Sequence, residues 1–258
     1  RRWSVLALLG VIGSATAWVV ALYERPLRDT GLDVVVQGKV PADPLQLLKE
    51  RPLEVLSDGY VASHTCRECH PSEHASWSAS YHRSMTQVAT PSAVIGDFQD
   101  RHVSYGDASY FLHRRGDQFW VEMDDPDGPE GATQRIERPI VMTTGSHHMQ
   151  VYWYSSYSRV MGQLPIFYLR QEQMWVPRDA AFLRPVDDQH VSETGRWNVK
   201  CMFCHTTHPM PRFVNGATMD TRVAEFGIAC EACHGPGAAH VRLRRANGGS
   251  VANDPIVN

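Results

Sequence analysis

The sequence predicts an α+β chain of low regular secondary structure, with one apolar N-terminal helix and short helices on either side of a β-rich insertion. Three observations carry this reading. Trp3 to Tyr23 is a 21-residue stretch without a charge. Residues from about 101 to 185 alternate apolar and polar side chains around Gly-containing turns, the period of a pleated strand. Outside that region lie three blocks of one pattern, Cys-x-x-Cys-His, which account for all 6 cysteines of the 258-residue chain.

The uncharged stretch is long enough to cross about 30 Å of hydrocarbon as a helix. Arg1 and Arg2 in front of it place the N-terminus in the cytoplasm and the chain beyond Glu24 on the other side. Ala15-Thr16-Ala17 resembles a signal-peptidase site, and an uncleaved signal anchor over 1–24 is the reading adopted over a cleaved leader. Residues 25–60 carry Pro26, Pro41, Pro44 and Pro52 and are expected to form an extended stalk ending in a short helix. Residues 61–258 form the third region, with the β-rich insertion inside it. Arg115-Gly116-Asp117 is expected to be a hairpin turn. The chain is also expected to continue past Asn258.

A net charge of −3 excludes the basic surface expected of a nucleic-acid binder. No Gly-rich nucleotide loop or nucleophile elbow is present.

The blocks are Cys66/Cys69 with His70, Cys201/Cys204 with His205, and Cys230/Cys233 with His234. With 13 histidines in the chain, three chance adjacencies have a probability on the order of one in eight thousand, and the pattern is the haem-attachment signature. Two thiols add to the two vinyl groups of a haem, and the next residue supplies the proximal imidazole. Zinc would use the cysteine pairs two at a time and strand the third; disulfides and a thioredoxin-like motif leave the three histidines unexplained. The expectation is three haem c, with iron held by His70, His205 and His234, and a fold whose core is partly haem.

The sixth ligand of each iron must come from elsewhere. After His70, residues Ser72 to Thr86 are expected to form a helix whose Trp77, Tyr81 and Met85 make one buried stripe. His82 then lies about 18 Å along that helix from His70, which suits a neighbouring haem better than its own. In a strand through Gly145-Ser-His-His-Met-Gln-Val-Tyr-Trp-Tyr, His147 would share the apolar, buried face with Met149, Val151 and Trp153. That makes His147 the distal candidate and His148 the reserve. His208 reads as a contact at the second haem's edge and a second reserve. Methionine ligation by Met85 or Met202 ranks below histidine. Arg242, Arg244 and Arg245 crowd near His240 and read as a solvated face, although pairing with haem propionates would be a natural use of arginine.

Cys-x-x-Cys-His followed by Trp77-x-x-Ser80-x-His82, together with Cys230-Glu-Ala-Cys-His-Gly-Pro-Gly-Ala-Ala-His240, resembles segments of the cytochrome c-554 family. The likeness covers mainly residues 60–90 and 195–245. It implies distal-ligand roles for His82 and His240, and maturation outside the cytoplasmic membrane. The β-rich insertion departs from the small, mostly helical members of that family. The expected function is electron transfer on the periplasmic side, with redox proteins or a respiratory or photosynthetic membrane complex as partner. The alternative is an oxidoreductase with one five-coordinate haem acting on a small nitrogen or sulfur compound.

Overall fold

A computed structural model describes residues 44–125, 134–156, 159–182, 195–215, 218–247 and 254. The predicted anchor (1–24), the stalk as far as residue 43, and His190 lie outside the described residues. Among the described residues no helix is long and apolar enough to cross a membrane.

The expected α+β class with little helix holds. The main body is a nine-stranded sheet. It includes β3 (Arg101–Tyr105), β4 (Ala108–Arg115), β5 (Gln118–Asp124), β6 (Arg135–Thr144), β7 (Met149–Ser155), β9 (Ile166–Leu169) and β10 (Met174–Pro177), in the order β10-β9-β7-β6-β5-β4-β3. All these pairings are antiparallel. β2 (Thr86–Val88) adds to β6, and β8 (Met161–Gln163) adds to β7. The β4–β5 hairpin closes through Gly116-Asp117, with Arg115 opposite Gln118 and Gly116 at φ 61°. A two-residue loop needs a positive φ to match strand twist, which glycine supplies at no steric cost.

Both faces of β7 are covered. Tyr152 and Tyr154 enter a cluster with Phe98, Phe119, Leu112 and Trp175. Val151 and Trp153 enter a second cluster with Met161, Phe167, Trp197, Met202, Val223 and Phe226. The alternation therefore does not separate core from solvent: residues 150–155 are all buried.

The short helices are α1 (Pro44–Leu47), α2 (Ser63–Arg67), α3 (Pro71–Ser78), α4 (Arg178–Phe182), α5 (Met202–His205), α6 (Cys230–His234) and α7 (Ala238–Asn247), with a π-helical turn at Trp197–Cys201 before α5. β12 (Phe213–Asn215) and β13 (Thr218–Met219) pair only with each other. The stalk expectation needs correction from residue 44 onward. Leu47 is buried, and β1 (Leu53–Glu54) pairs in parallel with β14 (Arg222–Val223). Leu53 donates its N–H to Thr221 O at 3.1 Å and Val55 to Val223 O at 2.8 Å. Backbone donors so close to an exposed edge are satisfied by pairing, so this segment belongs to the haem-motif domain.

The helix expected over Ser72–Thr86 also ends early, at Ser78. The Ser80 hydroxyl bonds Trp77 O at 2.7 Å and Ser80 N bonds the same carbonyl at 2.9 Å, which closes a turn in place of continued helix. Thr86–Val88 then joins the sheet. Tyr81 is 47% exposed, so the Trp77/Tyr81/Met85 stripe does not exist as a helix face.

Candidate haem sites

Each motif lies on a helical turn or across the join of two. A helical turn carries residues i, i+3 and i+4 on one face, so both thiols and the imidazole of a Cys-x-x-Cys-His block are presented together. In α6 the whole block Cys230–His234 is helical, and Gly235 (φ 76°) ends it. In the second block the π-helical turn runs into α5 at Cys201–Met202. In the first, His70 N bonds Cys66 O at 2.9 Å, and α3 starts at Pro71. The first cysteine of every block is half-buried and the second exposed.

The first and third blocks share a cavity of about 880 Å³, lined by Cys66, Cys69, His70, Trp77, His82, Cys230, Cys233, His234, His240 and Asp254 among others. That volume is in the range of cofactor clefts, roughly 300–1,000 Å³. The blocks are joined by two carboxylates, the buried Glu231 and the half-buried Glu225. Val61 N–H donates to both oxygens of Glu231, at 2.9 and 3.0 Å, and Gly237 N–H donates to it at 2.7 Å. Glu225 accepts from Ser63 N–H and its hydroxyl. The Cys66 and Cys230 thiols hydrogen-bond to each other. In that pair the bond from Cys66, with help from the Ser63 hydroxyl, holds the Cys230 thiol below its ordinary value, down to about 6, and the Cys66 thiol is pushed up.

Four of the predicted iron ligands, His70, His82, His234 and His240, line this one cavity. The rings of His70 and His240 face each other with centroids 6.3 Å apart and planes 26° from parallel. Two metal–nitrogen bonds of about 2 Å, plus the imidazole radius on either side, come to about 6 Å. The separation of the two rings matches the span of a metal held between two imidazoles. His82 reaches the same cavity because the chain turns after Ser78. Trp77 Nε1–H donates to Ile228 O at 2.8 Å, and Ile228 N–H donates to His82 O at 3.0 Å. The straight-helix spacing from His70 does not apply.

Gly227 makes this approach possible. It has φ 79°, and a Cβ there would stand 2.6 Å from Arg83 O and 2.9 Å from His82 O. Gly227→Ala is expected to cost about 2 kcal/mol or more, from a positive φ and a backbone clash together. Urea unfolding checks this; a loss under about 0.5 kcal/mol would show that the two segments are not locked.

The second block adjoins one face of the sheet. Trp197 and Met202 are buried against the Val151/Trp153 face of β7, with Cys201 and Met149 partly buried beside them. Asn198 is fully buried and satisfied: it accepts from Met161 N–H at 2.9 Å and donates to Arg159 O and to the Thr221 hydroxyl. His205 is half-buried, its Nδ1 is without a hydrogen-bond partner, and burial lowers its pKa. It is thus held as a neutral imidazole, the form that ligates a metal. β11 (Thr206–Thr207) leaves this block and pairs with β15 (Glu225–Phe226), which leads into the third.

His147 and His148 do not lie in a strand. β7 begins at Met149, and both histidines are exposed in the bend before it. Gly145 N–H donates to Met85 O and Arg170 N–H to His148 O, so this bend is tied both to the Tyr81–Met85 segment and to the end of β9. There His147 stacks between Tyr81 (4.0 Å) and His148 (3.9 Å). His208 stacks on Tyr60 at 4.2 Å, and its Nε2 is 2.9 Å from Asp58 Oδ2, which commits that nitrogen to a carboxylate. Two of the arginines near His240 have protein partners: Arg244 pairs with Asp254 and Arg245 with Glu68. Missed by sequence reasoning were Glu231, Glu225 and Asp254, because a carboxylate's partner cannot be read from its own neighbours in the chain.

Two thiols and an imidazole on one turn, with a second imidazole 6.3 Å away, are a donor set suited to a covalently attached haem. In agreement, residues 171–235 match the family described as "Cytochrome c554 and c-prime", a match that spans the second and third blocks and supports covalently bound haem c and electron transfer in general. No curated protein matches the chain. Among solved structures, the "Crystal Structure of Outer Cell Wall Cytochrome OcwA" is similar at 18% identity and a TM-score of 0.45, over 76% of this chain and 35% of that one. The chain thus spans about a third of that protein's length.

Proposed function

We propose that this chain is a membrane-anchored, periplasmic electron carrier with three covalently attached haems, working beside redox proteins or a respiratory or photosynthetic membrane complex. The observation that carries it is the shared cavity, where His70 and His240 stand 6.3 Å apart and His82 and His234 supply a second pair of imidazoles. Haem bound at such blocks supplies a one-electron ferric/ferrous couple. The chain's own histidines would hold such a group from both sides, which would leave no coordination place for a substrate. Contact between the Cys66 and Cys230 thiols puts two attachment points side by side. The third haem belongs to Cys201, Cys204 and His205, with His147 as its distal ligand and His148 in reserve; Met149, next to them, packs in the same cluster as Cys201. The anchor reading rests on Trp3–Tyr23 and the preceding arginines.

The test is an intact mass and an EPR spectrum of the chain produced in a host that matures c-type cytochromes. A mass equal to the polypeptide plus three haems and wholly low-spin signals are expected; a two-haem mass refutes the count. The oxidoreductase alternative attaches to the second block. There, among the described residues, no histidine ring faces His205 as His240 faces His70. A high-spin signal that shifts with cyanide, and that survives His147→Ala and His148→Ala unchanged, would favour that reading over the carrier.

A further inference from the structure

We propose that Asp254 is a positioning residue that sets the donor strength of His240, and that Arg244 moderates it. The inference rests on the reading of His240 as the axial partner of His70. The His240 ring nitrogen Nδ1 lies 2.7 Å from Asp254 Oδ1, with both side chains largely buried, at 15% and 14% exposure. That bond fixes the proton on Nδ1 and would leave Nε2, with its lone pair, as the metal-binding nitrogen. The other carboxylate oxygen receives Arg244 Nε at 2.8 Å and Nη2 at 2.6 Å. His240 and Arg244 are four residues apart on α7, so one helix face carries two partners of the same carboxylate. Asp254 itself lines the cavity of the first and third blocks.

A carboxylate hydrogen-bonded to the far nitrogen of a ligating histidine makes that imidazole a stronger donor. A stronger donor, and a negative charge nearby, favour the ferric state. The guanidinium on the second oxygen withdraws part of that charge. Asp254 therefore holds one haem of the chain at a lower potential than His70 and His240 alone would give, and the two variants of the clamp act in opposite directions.

The experiment is a redox titration of the holoprotein, followed optically and by EPR, on Asp254→Asn, Asp254→Glu, Arg244→Gln and His240→Ala. Asp254→Asn is expected to lower the ferric-to-ferrous ratio of one haem about tenfold at fixed ambient potential, a rise of about 59 mV for one electron, with the others unmoved. Asp254→Glu is expected to keep most of the wild-type ratio, and Arg244→Gln to move the same haem the other way. His240→Ala is expected to turn that haem high-spin. If His240→Ala leaves every haem low-spin, the axial reading fails. If it gives high spin but Asp254→Asn leaves the ratio unchanged, the proposal alone is overturned. Shifts of one sign in Asp254→Asn and Arg244→Gln would also overturn it, since loss of the clamp would then explain both.

Discussion

Replacing Glu231 with alanine is expected to destabilise the folded domain by about 3–5 kcal/mol, because two backbone N–H groups lose a charged acceptor and each such bond contributes roughly 1.5–3 kcal/mol. The donors are Val61 and Gly237, and the carboxylate they share is 3% exposed, so water does not replace it. The effect is local in origin and wide in consequence. Val61 leads into the helix that carries Cys66, while Glu231 lies inside the third Cys-x-x-Cys-His block, so one side chain fastens two haem sites together. Burial also holds the Glu231 carboxyl above its ordinary value of 4.5. A raised folded value means that the folded state binds the proton more tightly. This contribution to stability is full below the unfolded value and is lost as pH rises through the folded one. Glu231→Gln keeps an acceptor and removes the titration. It is expected to cost less than alanine and to make the variant's own stability depend less on pH between acid and neutral, so that its difference from wild type changes with pH. Urea unfolding at pH 4 and pH 7 measures both; an alanine variant within about 0.5 kcal/mol of wild type would show that the two blocks are held by other contacts.

Trp197→Ala is expected to cost about 3–5 kcal/mol, the range for removing a large aromatic from a packed core, and to lower haem retention at the second block selectively. Trp197 has no exposure and stands one turn before Cys201, packed with Trp153, Met202 and Phe226. Its indole N–H is buried without a partner, so Trp197→Phe forfeits no hydrogen bond and removes an unpaired donor. That variant is expected to lose about 1 kcal/mol or less. Mass spectrometry reads which block has lost its haem. Equal loss from all three blocks would overturn the claim that the cluster around Trp197 supports the second site in particular.

The architecture was only partly legible in the residues. The strands announced themselves where one face meets solvent, and Arg115-Gly116-Asp117 marked its hairpin because the turn demands a positive φ at one residue. Over β7 the same logic misled. A strand buried on both sides, against Phe98 and Trp175 on one and Trp197 and Met202 on the other, offers no polar face to place His147 and His148, and the strand itself starts after them. The expected helix from Ser72 to Thr86 failed for a similar reason: its period was sound, but Ser80 closes a turn, and the edge of β6 claims Thr86–Val88.

What the sequence by itself determined is the chemistry of attachment. Cysteine, cysteine and histidine at i, i+3 and i+4 meet on one face of any helical turn, so the donor sets needed no knowledge of the fold. Only the tertiary structure decided which histidine faces which block. His70 and His240 are 170 positions apart in the chain, and they come within 6.3 Å because Glu231 and Glu225 fasten the first block to the third. Their partner groups are backbone amides and a serine hydroxyl, which occur throughout any sequence, so no pattern of residues could have announced the pairing.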